Sequence, residues 1–154
     1  MTAKRIALQQ YQSIADRAAI LFDGVRNPRE GWIATVRRAL GMSGPQLARR
    51  LGVGRARISQ AERAELTGGI TLKTMQAMAE AMGCRFVYAI VPEGRIEDLI
   101  AAQARKKAAS LVGRARVHMA LERQALSERQ DAAEIERLAG DLIRTMPRDL
   151  WAES

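Results

Sequence analysis

Between Arg55 and Arg63 the chain carries three guanidinium groups, the Ser59 hydroxyl and the Gln60 carboxamide, with no acid before Glu62. A guanidinium fork matches either a phosphate or the O6/N7 edge of guanine, and a carboxamide matches the N6/N7 edge of adenine. This is chemistry for double-stranded DNA, provided that one rigid element presents the row on a single side. The competing reading is a helix whose basic face is merely solvated.

The element that must position these groups is Gln46 to Arg63, QLARRLGVGRARISQAER. Leu47, Ala48 and Leu51 make the apolar side of a first helix. Gly52 ends it at a position expected to need positive φ, Val53 is expected to plug the turn, and Ile58 and Ala61 face inward from a second helix. Ala48 is small where the second helix crosses. These offsets predict a helix-turn-helix, whose second helix can lie in a DNA major groove. Its outward positions are Arg55, Ala56, Arg57, Ser59, Gln60 and Arg63.

Charge distribution agrees. The 154 residues carry a formal net charge of +8, which suits a polyanion partner. The excess is concentrated: residues 29–65 hold eight arginines against three glutamates, whereas residues 128–154 hold four arginines against seven acids. Aromatic residues make up only 4%, which argues against single-strand binding by base stacking. Cys84 is the single cysteine, so no internal disulfide is expected and a reducing cytoplasm is the default. The first residues lack the apolar run of a signal peptide, and no stretch approaches the ~18 apolar residues of a membrane span.

Taken in order, residues 4–22 read as an amphipathic helix with Leu8, Tyr11, Ile14, Ala15, Ala18, Leu21 and Phe22 at helical spacing. It either packs on its own domain or docks on a second subunit or another protein. Residues 30–40 start the next unit, with Trp32, Ile33, Val36 and Leu40 as the core stripe and Gly41 as the stop. Ser43 is a good N-cap, with Gln46 at the third helical position. Thr71 caps a helix over 72–82, lined by Leu72, Met75, Ala79 and Met82 with Met78 alongside.

Residues 84–91, CRFVYAIV, are β-branched and aromatic and are closed by Pro92. They predict a strand. No second strand candidate exists to satisfy its backbone, so Phe86, Val87, Tyr88, Ala89 and Ile90 are expected to pair with the same residues of another copy. The alternative is a buried extended segment or short helix within a monomer. Residues 95–126 predict a long helix with a stripe of Ile96, Ile100, Ala104, Ala108, Leu111, Ala115 and Met119 and a basic outer face of Arg105, Lys106, Lys107, Arg114 and Arg116. Ser127 caps a last helix to about residue 146, striped by Ile135, Leu138, Ala139, Leu142, Ile143 and Met146. Leu150-Trp151 follow as a candidate anchor in a packed partner.

Catalytic chemistry is thin. His118 is the single histidine and has no acid–base neighbour in sequence, Cys84 reads as a small buried hydrophobe, and no Cys/His cluster has zinc spacing. The glycines at 52 and 54 are not followed by Gly-Lys-Ser, so no phosphate loop is present. The expectation is a protein that is not an enzyme and binds neither metal nor cofactor.

The segment WIATVRRALGMSGPQLARRLGVGRARISQAERAE resembles the Cro/C1-type (XRE-like) domain of phage repressors. The resemblance implies a lambda-repressor-like fold and an ion pair between Arg37 on the first helix and Glu62 near the end of the recognition helix. It places Arg55, Ala56, Ser59 and Gln60 where that family reads bases, and Gln46 and Arg63 near positions that contact phosphates. Gly44-Pro45 departs from the polar residues that usually start the second helix, and Gly54 stands where Ser or Thr is common.

The whole chain is also similar to the "mobile mystery protein A" family, through GWIATVRRALGMSGPQLARRLGVGRARISQAERAE, ITLKTMQAMAEAMGCRFVYAIVP and HMALERQAL. That likeness implies a DNA-binding antitoxin or regulator paired with a Fic-domain protein. Inhibitory helices of Fic proteins carry Ser or Thr with Glu four residues on, and no Ser or Thr here has that spacing.

The expectation is thus a mainly α chain in four parts. Residues 1–28 form the N-terminal amphipathic helix, counted as a fifth helix of the repressor-like domain. Residues 29–83 form the helix-turn-helix domain, 84–94 a dimerising strand and 95–154 a C-terminal helical extension. It would bind a near-palindromic operator as a cytoplasmic homodimer, with a Fic-domain toxin as a candidate partner. Arg49, Arg50, Arg57 and Arg63 would meet phosphates, while Arg55 and Gln60 would read base edges.

Overall fold

The structure, a computed structural model, describes residues 2–121 and 128–153. Seven helices are present among them: α1 (Ala3–Leu21), α2 (Trp32–Ala39), α3 (Gly44–Leu51), α4 (Arg55–Thr67), α5 (Leu72–Ala81), α6 (Ile96–Leu121) and α7 (Glu128–Thr145). The chain divides into two compact units, one of Asp23–Ala89 and one of Met1–Phe22 with Ile90–Ser154.

The Asp23–Ala89 unit holds α2 to α5 around one core. Ile33, Leu47, Ala48, Ile58, Ala61, Met75, Met78 and Met82 are buried together, with Val36, Met42, Leu51, Ile70 and Phe86 against them. Leu47 and Ile58 are wholly buried, each contributing roughly 1.5–3 kcal/mol by removal from water. The methionines of α5 fill the irregular space left between three crossing helices, as flexible thioethers do. Trp32, Leu40 and Leu72 differ from the expected stripes: all three are exposed, and Ala34 is buried instead. An eight-residue helix has room for barely two turns of contact, so α2 buries only Ile33 and Ala34, with Val36 half-buried against the same core.

Residues 84–91 correct the sequence reading, because no strand forms there among the described residues. The Cys84 amide donates to the Ala79 carbonyl at 2.8 Å as part of the α5 cap, and the segment then runs on without helix or ladder. The physical reason is simple: every other long segment described is helical, so among the described residues these backbone groups have no strand to pair with. Phe86 turns into the core and stacks on Tyr88 at 5.7 Å between ring centroids. Val87, Tyr88, Ala89 and Ile90 are exposed, Ile90 almost completely at 95%. Cys84 is exposed as well, not buried.

In the other unit, α6 and α7 pack side by side in opposite directions, Arg105 meeting Glu136 and Arg116 meeting Asp131, and α1 lies against α6. The N-terminal helix therefore belongs with the C-terminal helices rather than as a fifth helix of the repressor-like domain. Its half-buried face includes Leu8, Ala15, Ala18 and Phe22, and Asp16 accepts from the Ile96 amide at 2.9 Å, capping α6. The buried row of α6 steps by four through Ile100, Ala104, Ala108 and Val112, the inclined ridge by which helices pack across one another. Leu111 and Ala115, expected in that row, fall outside it. The expectations for the Met119 side chain and the Ser127 cap lie outside the described residues.

Leu150 is buried against α6 and α7, and Gln103 Nε2 donates to its carbonyl at 2.8 Å. It anchors its own unit, while Trp151 stays exposed. Three cations of the α6 basic face are also spent internally: Arg105 pairs with Glu136 at 2.9 Å, Lys107 with Asp149 at 3.2 Å and Arg116 with Asp131 at 2.6 Å. No helix among the described residues is long and apolar enough to cross a membrane.

Candidate nucleic-acid interface

The geometry of α3 and α4 is set by their ends. Ser43 accepts from the Gln46 amide at 3.2 Å while Gln46 Oε1 accepts from the Ser43 amide at 2.8 Å, a reciprocal capping box. Gly52 closes α3 with φ 71°, and the Val53 amide reaches back to the Ala48 carbonyl at 3.0 Å. A side chain at Gly52 would meet nothing within 4 Å, so glycine is required there by the backbone alone. Val53 itself is exposed rather than a plug. Ala48 is buried below the crossing of α3 and α4, where a missing methylene lets the two backbones approach.

Two carboxylates fasten α4 to α2. Arg37 Nε donates to Glu62 Oε1 at 2.7 Å, and Arg37 also donates to the Met42 carbonyl at 3.0 Å. Glu65, which sequence reasoning passed over, accepts from the amides of Trp32 at 2.6 Å and Ile33 at 3.0 Å. It supplies from α4 the N-cap that Gly31, lacking a side chain, cannot. A Cβ at Gly31 would come within 2.9 Å of that carboxylate, and its φ is 86°, so glycine is needed for both space and conformation. The readable signal was a glycine at an N-cap with no acid in the first turn of α2.

With Ile58 taken as the inward direction and about 100° per residue, Ala56, Gln60 and Arg63 fall on the opposite side of α4. Arg55, Arg57 and Ser59 flank them. All six are exposed. Among the described residues the side chains of Arg49, Arg55, Arg57, Ser59, Gln60 and Arg63 form no hydrogen bond or ion pair. Their donors are therefore available to a partner, on a helix pinned from behind by Ile58, Ala61, Glu62 and Glu65. Gln46 has spent its carbonyl oxygen on the capping box and keeps its amide NH₂ to donate. Arg50 points elsewhere: its Nε donates to the Ala81 carbonyl at 2.5 Å, tying α3 to the end of α5. An Arg so engaged is a tether within the domain, not a free phosphate ligand.

Beside α4 lies an open cleft of about 590 Å³, walled by Ser59, Glu62, Arg63 and Leu66 on one side and by Arg29, Glu30, Ala34 and Arg38 on the other. Arg38 is paired there with Glu30, both well exposed.

Residues 33–88 match the family model for helix-turn-helix domains. The segment is a Cro/C1-type (XRE-type) helix-turn-helix domain, and it makes the chain a DNA-binding transcription regulator. The match spans α2 to α5 and runs on into the extended segment. Comparison with curated proteins gave no match, and neither did comparison with solved structures.

Proposed function

We propose that the chain represses its own operon by binding a near-palindromic operator as a homodimer in the cytoplasm, and that it is neither an enzyme nor a metal or cofactor protein. The observation that carries the reading is the row Arg55, Ser59, Gln60 and Arg63: exposed, unpaired within the described residues, and held on a helix braced by Arg37–Glu62 and Glu65. Arg55 and Gln60 read base edges. Ala56 offers a small apolar contact and Ser59 a hydroxyl. Gln46, Arg49, Arg57 and Arg63 meet phosphates, which fix register without sequence information.

One recognition helix reads too few base pairs for an operator. The exposed arm at Val87 to Ile90, rich in β-branched and aromatic residues and without a ladder partner, supports pairing with the same arm of a second copy. Two-fold pairing would set the recognition helices about one turn of DNA, ~34 Å, apart. A gel shift with the DNA upstream of the gene, run at two salt concentrations against a scrambled duplex, tests the reading. Equal retention of both duplexes would defeat it.

A second reading is favoured by the exposed apolar residues of α1, Tyr11, Ile14, Ile20 and Leu21, together with Trp151. Here that unit holds a toxin, in keeping with the resemblance to mobile mystery protein A and its Fic-domain neighbour, and DNA binding is secondary. Co-expression with the neighbouring gene product distinguishes the two. Removal of residues 127–154 should then release toxicity, and full neutralisation without them would exclude this reading.

A further inference from the structure

The cleft between α2 and α4 extends the interface beyond the recognition helix. It rests on the reading that α4 enters the major groove. That groove is about 12 Å wide and an α-helix with its side chains about 10–12 Å across, so both flanks of α4 meet a sugar-phosphate strand. The α3 flank offers Gln46, Arg49 and Arg57. The opposite flank is the cleft, where Ser59 and Arg63 of α4 face Arg29 and Arg38. Arg29 and Arg63 form no ion pair among the described residues. Arg38 is held by a single exposed carboxylate, Glu30, and such pairs contribute little against solvent.

We propose that this cleft seats a backbone phosphate of the DNA strand on the α2 side, clamped by Arg29, Arg38 and Arg63, with Glu30 as an internal anion that the phosphate displaces from Arg38. Guanidinium groups suit the role, since their planar forks take a phosphate bidentately. The Ser59 hydroxyl adds a neutral donor at the rim. Glu62 is no competitor because Arg37 already neutralises it at 2.7 Å.

The test is affinity for the upstream DNA and for a duplex of random sequence, measured across a salt series with the full chain. Arg29→Ala and Arg38→Ala should each flatten the plot of log affinity against log salt by about 0.9, the loss of one neutralised phosphate. The weakening should be the same on both duplexes. Glu30→Gln should tighten binding roughly two- to fivefold, the scale of one exposed ion pair. Unchanged slopes for Arg29→Ala and Arg38→Ala, or weaker binding by Glu30→Gln, would overturn the clamp. Thermal melts confirm that the variants fold, as these side chains lie at the surface. Failure of the base-reading assignment has a different signature: operator preference survives Arg55→Ala with Gln60→Ala, while the slopes of the cleft variants still fall, which supports the clamp.

Discussion

Arg37 and Glu62 meet at 2.7 Å with side chains only 14% and 20% exposed, and Arg37 also holds the Met42 carbonyl. One guanidinium thereby joins α2, the entry to α3 and the recognition helix. Truncating either partner leaves a half-buried charge without its counterion. Arg37→Ala or Glu62→Ala should cost about 1.5–3 kcal/mol in urea unfolding, the scale of hydrogen bonds to charged groups. A double-mutant cycle should show positive coupling between them, and additive losses would mean that the pair is no more than a surface contact.

Glu65 makes a separate prediction. Its carboxylate caps two amides of α2, so Glu65→Ala should lose about 1 kcal/mol of stability. Gly31→Ala should lose at least as much, because its methyl would press on the same carboxylate in a backbone conformation that disfavours any side chain. Hydrogen exchange should localise the loss to the first turn of α2. Uniform exchange across the unit would argue against a cap.

At the turn, Gly52→Ala introduces no clash but forces a side chain to φ 71°, and should cost ~1 kcal/mol or somewhat more. Ala48→Leu should cost roughly 1–3 kcal/mol by overpacking and should also weaken DNA binding, because it separates α3 from α4. If Ala48→Leu lowered stability and left affinity untouched, the close crossing would not matter to the interface.

The proposed pairing of the arm at residues 84–91 would link assembly to recognition. Tyr88→Pro removes an amide from the middle of the arm while leaving Phe86 in the core. Sedimentation should show a dimer for the natural chain and a monomer for the variant, with a steep loss of operator affinity. A natural chain that sediments as a monomer at micromolar concentration would refute pairing.

Much of the helix-turn-helix was legible because its signals are local. Ser43 and Gln46 form their capping box, Gly52 takes its left-handed turn, and Ile58 and Ala61 face inward, all within a few residues of one another. What was not legible depended on partners distant in sequence. Arg50 finds the Ala81 carbonyl 31 residues away, and Glu65 finds Trp32 33 residues back. Neither periodicity nor spacing encodes such meetings. The strand failed for a related reason. β-propensity at residues 84–91 describes a surface that fits a sheet, and the described residues contain no sheet for it to join. Leu150 shows the reverse case, an apolar residue near the end of the chain that fills its own unit.

The proposed function stands or falls on Arg55 and Gln60 reading base edges. Fluorescence anisotropy of the full chain with the upstream operator and with a scrambled duplex tests it directly. Arg55→Ala with Gln60→Ala should remove roughly 2–6 kcal/mol of operator preference, at ~1–3 kcal/mol for each bidentate pair, while binding to the scrambled duplex drops far less. Unchanged preference for the operator in that double variant, with its fold intact, would contradict it.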